Sequence, residues 1–89
     1  MFEINYNNNF KKDIKLAKKR GKDLNRLREL IKTLEIGLPL MTKYKDHMLI
    51  GDYKGRRECH IESNWLLIYR IEGNLITLER LGSHADLFE

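Results

Sequence analysis

Thiol chemistry has almost nothing to work with in this chain of 89 residues, because Cys59 is its one cysteine. It cannot close an internal disulfide, and no second cysteine exists to share a zinc site with it. No apolar run approaches the ~20 residues that a membrane span needs. The opening Met1-Phe2-Glu3-Ile4-Asn5 lacks the basic start and long apolar stretch of a signal peptide, so the chain is expected in the cytoplasm, away from membranes. Proline occurs once, at Pro39, and no repeat, linker or low-complexity segment breaks the chain. One domain over residues 1–89 is therefore expected, with a modest core that buries roughly two thirds of the unfolded surface.

What the chain does contain is the balance of a folded globular protein, with 42% apolar and 34% charged residues. Seventeen Lys and Arg against thirteen Asp and Glu leave a formal charge of +4. That favours polyanions or an acidic partner, although charge alone does not separate a nucleic-acid binder from a small basic protein with no such partner.

The patterning changes period twice. Phe2 to Tyr6 alternates apolar and polar like a half-buried strand. Asn7 to Asn9 then offer helix caps, and Phe10, Ile14 and Ala17 fall on one helical face among lysines. Lys18, Lys19 and Arg20 before Gly21 make a helix end, since cations suit the C-terminus and glycine accepts the left-handed cap. Asp23 caps a second helix whose stripe is Leu24, Leu27, Leu30, Ile31 and Leu34, closed by Gly37 and Pro39. From His47 onward the period is two. His47 to Gly51, Arg56 to Glu62, Trp65 to Ile71 and Leu75 to Leu81 read as strands, with a turn at Glu72-Gly73-Asn74. Trp65 to Tyr69 is apolar on both faces and should be a central strand covered by helices on one side. The fold class is α+β: a strand, a helix hairpin, then an antiparallel sheet.

Alternation along Arg56 to Glu62 puts Arg57, Cys59 and Ile61 on the core face and Arg56, Glu58, His60 and Glu62 on the open one. A carboxylate beside an imidazole suits acid–base work, because it orients the ring. A lone Glu-x-His is more often an ordinary charged strand face. His47 and His84 lie in less regular places, and no ligand spacing or cysteine pair makes the three histidines a metal site. Arg80 offers a fixed cation to a phosphate, or a surface charge that pairs with Glu79 or Glu58. Phe88 can dock on the core or stack on a base. The lysine-rich first helix is either a solvated face or a grip on phosphates.

Four blocks are specific. Lys43-Tyr44-Lys45-Asp46-His47-x-Leu49-x-Gly51, Gly55-x-Arg57-Glu58-Cys59-His60-Ile61, Trp65-Leu66-Leu67-Ile68-Tyr69 and Arg80-Leu81-Gly82-Ser83-His84-Ala85-Asp86-Leu87-Phe88 resemble, in order and spacing, the YafQ-like toxins of the RelE/ParE superfamily. The resemblance implies a sheet-and-hairpin fold similar to microbial ribonucleases. It also implies cleavage of messenger RNA in the ribosomal A site and a DinJ-like antitoxin as partner, with operator DNA a further partner expected of the complex. No cofactor or metal is expected, because no metal site is readable and a 2′-hydroxyl that attacks its own neighbouring phosphorus requires none. It places the catalytic histidines on His47, His60 and His84, the phosphate-holding arginine on Arg80 and the C-terminal aromatic on Phe88. Glu58 takes the acidic position before His60, and Trp65 the apolar strand position. One position departs: the family reads Pro-Asp where this chain has Ser63-Asn64, so an uncharged amide stands at an acidic site.

The chemistry expected is attack of an RNA 2′-hydroxyl on its neighbouring phosphorus. His60 with Glu58 is the base and His84, on a mobile tail near Arg80, the acid; an ordinary imidazole pKa near about 6.5 suits both. Arg80 and Lys45 stabilise the growing charge, and His47 orients the substrate. Lys45, Arg56, Trp65 and Phe88 are expected to contact RNA. The rivals are a non-enzymatic ParE-like toxin that poisons a topoisomerase, and a plain nucleic-acid-binding module.

Overall fold

The first turn of the chain is set by one asparagine. In the computed structural model, which describes residues 1–88, strand β1 (Glu3–Tyr6) runs into Asn7. Its side chain accepts the Phe10 N–H and so caps helix α1 (Asn8–Lys19). Helix α1 turns Phe10 and Ala17 inward and ends in Lys18 and Lys19, with Gly21 at φ +73° beyond them. Asp23 caps α2 (Leu24–Ile36) through the Asn25 N–H. Gly37 closes it in the left-handed region at φ +87°, a conformation that glycine adopts without strain.

The remaining strands are β2 (His47–Met48), β3 (Arg57–Glu62), β4 (Trp65–Glu72) and β5 (Leu75–Gly82), followed by α3 (His84–Phe88). The sheet order is β1-β5-β4-β3-β2; β1 runs parallel to β5, and every other pairing is antiparallel. The α+β architecture and the helix hairpin are as the sequence suggests, with β4 central. The strand expected over residues 47–51 stops at Met48. Gly51 lies at φ +71° and opens a single 3₁₀ turn, while Leu49 keeps one backbone bond, its N–H to the Arg56 carbonyl at 2.8 Å, and packs against the cluster of Leu66, Ile68 and Leu87.

Both helices lie on one face of the sheet. Phe10, Leu27, Leu30 and Leu34 pack there against Cys59, Ile61, Trp65, Leu67, Tyr69, Ile76 and Leu78. Burial pushes the Cys59 thiol well above its ordinary value, which makes it a core side chain rather than a nucleophile. On the other face, among the described residues, Leu66 and Ile68 are covered by Leu87 of α3 with Leu49 and Tyr53, and no helix layer lies over it. Among the described residues no helix is long and apolar enough to cross a membrane.

Two irregularities decide which side chains reach the open face. A register shift on β3 between His60 and Glu62 turns Glu62 away from Glu58 and His60, against the strict alternation expected of that strand. Glu62 meets Lys22 at 3.6 Å and Arg26 at 3.7 Å instead, beside the helices. A second shift, opposite Ile68 and Tyr69 of β4, lets the consecutive residues Glu79 and Arg80 line one groove.

Candidate active site

β2 exists to carry His47. It pairs His47 with Glu58 of β3, and His60 stands two residues farther along the same face. Glu58 is only 4% exposed, and a buried carboxylate is costly without partners. Its partners are imidazoles: Oε1 lies 3.2 Å from His60 Nε2 and 3.6 Å from His47 Nε2. The His47 ring is fixed from behind by the Lys45 carbonyl, 2.7 Å from Nδ1. A carbonyl only accepts, so Nδ1 carries the proton in that bond. Lys45 sits at φ +49°, the left-handed backbone that ends the preceding 3₁₀ turn.

His84 comes from the other end of the chain, as the first residue of α3. Asn64, in the turn between β3 and β4, accepts both its backbone N–H and its ring Nδ1 at 3.0 Å each. Because the backbone N–H only donates, the asparagine atom there must be the oxygen. The ring therefore donates from Nδ1 and leaves Nε2 free. The His60 ring lies 6.3 Å from His47 and 5.9 Å from His84, centroid to centroid. Three imidazoles thus form a row across the open face, with one buried carboxylate under two of them.

The cations border this row. Arg80 does not pair with Glu79 or Glu58. Its Nε and Nη2 reach Asp13 of α1 at 2.8 and 3.4 Å, which raises an already high pKa. Asp13 also accepts the Leu81 N–H at 2.8 Å and so binds α1 to β5. Arg80 lines a groove of about 280 Å³ with Asn7, Asn9, Tyr53 and Arg56, where Arg56 is paired to Glu79. On the far side of His60, Lys45, Lys43 and Arg26 line a second groove of about 380 Å³. Phe88 stands edge-on to Tyr53 at 5.3 Å and 6.0 Å from the His84 ring, 42% exposed.

Two expectations fail. Trp65 is 1% exposed in the helix-side core, with the Lys22 ammonium over its ring, so it cannot contact RNA. Nor does His84 sit on a mobile tail, because it belongs to a helix fastened by Leu87 and by the hydrogen bond from the Tyr53 hydroxyl to the Leu87 carbonyl. The sequence reading missed Asp13 and Tyr53. Asp13 had a signal, as the one acid among the lysines of α1. Among the described residues no group of three or more His, Cys, Asp or Glu side chains is arranged to hold a metal.

Residues 2–89 match the family model described as bacterial toxin of type II toxin–antitoxin system, YafQ. The chain belongs to that family. It is 49% identical over 88 residues to the mRNA interferase toxin YafQ of Escherichia coli K12, covering 97% of this chain and 95% of the relative. The fold superposes on the crystal structure of YafQ from E. coli BL21(DE3) with a TM-score of 0.95, at 44% identity and full coverage of both chains. It also matches the crystal structure of the E. coli DinJ–YafQ toxin–antitoxin complex, with a TM-score of 0.91 and 46% identity over 99% of this chain and 98% of that one.

Proposed function

We infer that this YafQ-family chain is an endoribonuclease that cleaves translated messenger RNA on the ribosome without a metal and is silenced by a DinJ-like antitoxin. The observation that carries the reading is the row of three imidazoles over buried Glu58, with the free Nε2 of His84 at one end. A plain binding module or a topoisomerase poison has no use for a buried carboxylate between two histidines. The name of the E. coli relative and its complex with DinJ support the activity and the partner. The cell compartment is the cytoplasm, where ribosomes are, and the toxin–antitoxin complex binds operator DNA.

The reaction balances without a second substrate. His60 has Nε2 held toward Glu58, so its Nδ1 takes the 2′-hydroxyl proton. The 2′-oxygen bonds to phosphorus, the bond from phosphorus to the 5′-oxygen breaks, and His84 Nε2 gives that oxygen its proton. The products are a 2′,3′-cyclic phosphate and a 5′-hydroxyl. Arg80, held by Asp13, and Lys45 bring positive charge to the pentacoordinate phosphorus, and His47 orients the substrate. Arg56 and Phe88 bind the neighbouring nucleotides.

Programmed ribosomes with primer extension test this. Cuts in the message that disappear when His84 is replaced support the reading; intact message with the wild-type chain overturns it. Naked RNA is expected to be cut far more slowly, because the site is an open face and the ribosome must supply orientation worth several kcal/mol. Equal rates on naked and ribosome-bound RNA would sink that expectation. A chelator that spares the ribosome's own magnesium requirement should leave the rate unchanged, and a loss restored by a transition metal would remove the metal-free mechanism.

A further inference from the structure

α3 is five residues long, far too short to persist without tertiary contacts, yet it presents His84. Asn64 fixes the imidazole ring, and Leu87 with Tyr53 fastens the far end of the helix, which leaves its first turn to be held. Ser83 and Asp86 close its first turn reciprocally: the Ser83 N–H donates to Asp86 Oδ2 at 2.9 Å, and the Asp86 N–H to Ser83 Oγ at 3.1 Å. The same carboxylate then takes Arg20 in two-pronged fashion, Nη1 to Oδ2 at 2.6 Å and Nη2 to Oδ1 at 3.3 Å. Arg20 is the C-cap residue of α1, 66 residues away. Gly82 makes the approach possible, since a Cβ there would lie 2.9 Å from both Cβ and Oδ2 of Asp86.

We propose that Arg20 and Asp86 are a positioning pair for His84, a salt bridge from α1 that sets the angle at which α3 presents the imidazole to the scissile phosphate. The inference rests on the reading of His84 as the general acid. Neither member touches substrate. Their side chains are 45% and 24% exposed, and a bridge so open to solvent adds little to global stability. Its effect is local, on the first turn of a helix whose Leu87 end is fastened separately.

The bridge is also indifferent to the pH at which imidazoles titrate. Arg20, and then the Ser83 N–H, hold the Asp86 carboxyl well below the usual carboxylate range. A depressed carboxyl contributes above its unfolded pKa and is lost only as pH falls through the folded value. Between about pH 5 and 8, where an ordinary imidazole changes charge, the latch is therefore constant.

The test uses the full chain with Arg20→Ala, Arg20→Lys, Asp86→Asn and Gly82→Ala. Asp86→Asn keeps an oxygen for the Ser83 N–H and removes the charge that Arg20 needs, whereas Gly82→Ala displaces Asp86 with no change of charge. Imidazole nitrogen NMR of the protein without RNA should show one Nδ1–H tautomer of His84 in the wild type and in Arg20→Lys, and tautomer averaging in the other three. On saturating programmed ribosomes, those three should lose roughly fivefold in single-turnover rate, with half-saturation changed by less than about twofold. Unchanged spectra and rates overturn the proposal. So does a raised half-saturation at an unchanged maximal rate, which would make Arg20 a phosphate contact, or a defect in Arg20→Ala that Asp86→Asn does not share. If the wild type cuts no message, the ribonuclease reading fails, and the spectra still decide whether the latch holds His84.

Discussion

Alanine at His84 is expected to lower single-turnover cleavage of ribosome-bound message by roughly two to four orders of magnitude, with half-saturation little changed. The 5′-oxygen must leave as an alcohol, because an alkoxide is a poor leaving group at neutral pH, so the group that protonates it carries much of the barrier. His84 is the one imidazole whose Nδ1 is occupied and whose Nε2 is not directed at Glu58. His60, 5.9 Å away centroid to centroid, has Nε2 directed at Glu58 and its other nitrogen taken by the 2′-hydroxyl proton, so it has no proton to give the leaving oxygen in that step. Loss of His60 should cost a similar factor, and the double variant little more than either single one, since acid and base act in the same step. Purified toxin variants, each measured at saturating ribosome concentration, give both numbers. Retention of wild-type rate by the double variant would remove both residues from the chemistry and leave Glu58 and Arg80 to account for it.

Structure set by near neighbours in the chain was legible in the sequence. Asn7, Asp23 and Gly37 are caps that the sequence announces by residue type and position, and each takes that role. Trp65 to Tyr69 reads as a strand buried on both faces, and it is the centre of the sheet. That same double burial hid which face Trp65 occupies, and it packs under the helices. Glu62 was misplaced because a bulge is a property of how β3 pairs with β4, which a period of two along β3 cannot contain. The partner of Arg80 was invisible for a related reason, as Asp13 lies 67 residues earlier and meets it only when α1 docks on β5. Only Glu58 and His60 were readable as neighbours from spacing. The convergence of His47 and His84 on them came from the family resemblance, since three separate elements must assemble before the rings approach. The tail that reads as frayed is ordered by contacts distant in sequence, through Arg20, Tyr53 and Asn64.

Asn64 gives the second large effect, in two directions. Its Oδ1 is the only atom shown to hold the His84 ring by hydrogen bond among the described residues, and it holds the backbone N–H of the same residue as well. Asn64→Ala removes both bonds. Position 64 is exposed, so water can satisfy the released donors and stability should change by less than about 1 kcal/mol. The ring, however, becomes free to rotate and to exchange tautomers. A misplaced acid commonly costs about a hundredfold, and that is the fall expected in the single-turnover rate. Asn64→Asp should do the opposite. A carboxylate oxygen accepts the same two bonds and adds a negative charge beside Nδ1, which favours the protonated ring that a general acid requires. Each pKa unit is worth about 1.4 kcal/mol, but solvent screening at this exposed turn limits the gain to roughly a few-fold. The basic limb of the pH–rate profile should move upward in that variant and the acidic limb should not. The alternative is that Asn64 serves only the turn before Trp65, where asparagine and aspartate are about equally suited. In that case the wild type and Asn64→Asp would cleave at the same rate across the imidazole range, and Asn64→Ala would lose stability rather than rate. Matching pH profiles for those two proteins, with a destabilised but fully active alanine variant, would take position 64 out of the active site and leave His84 oriented by α3 alone.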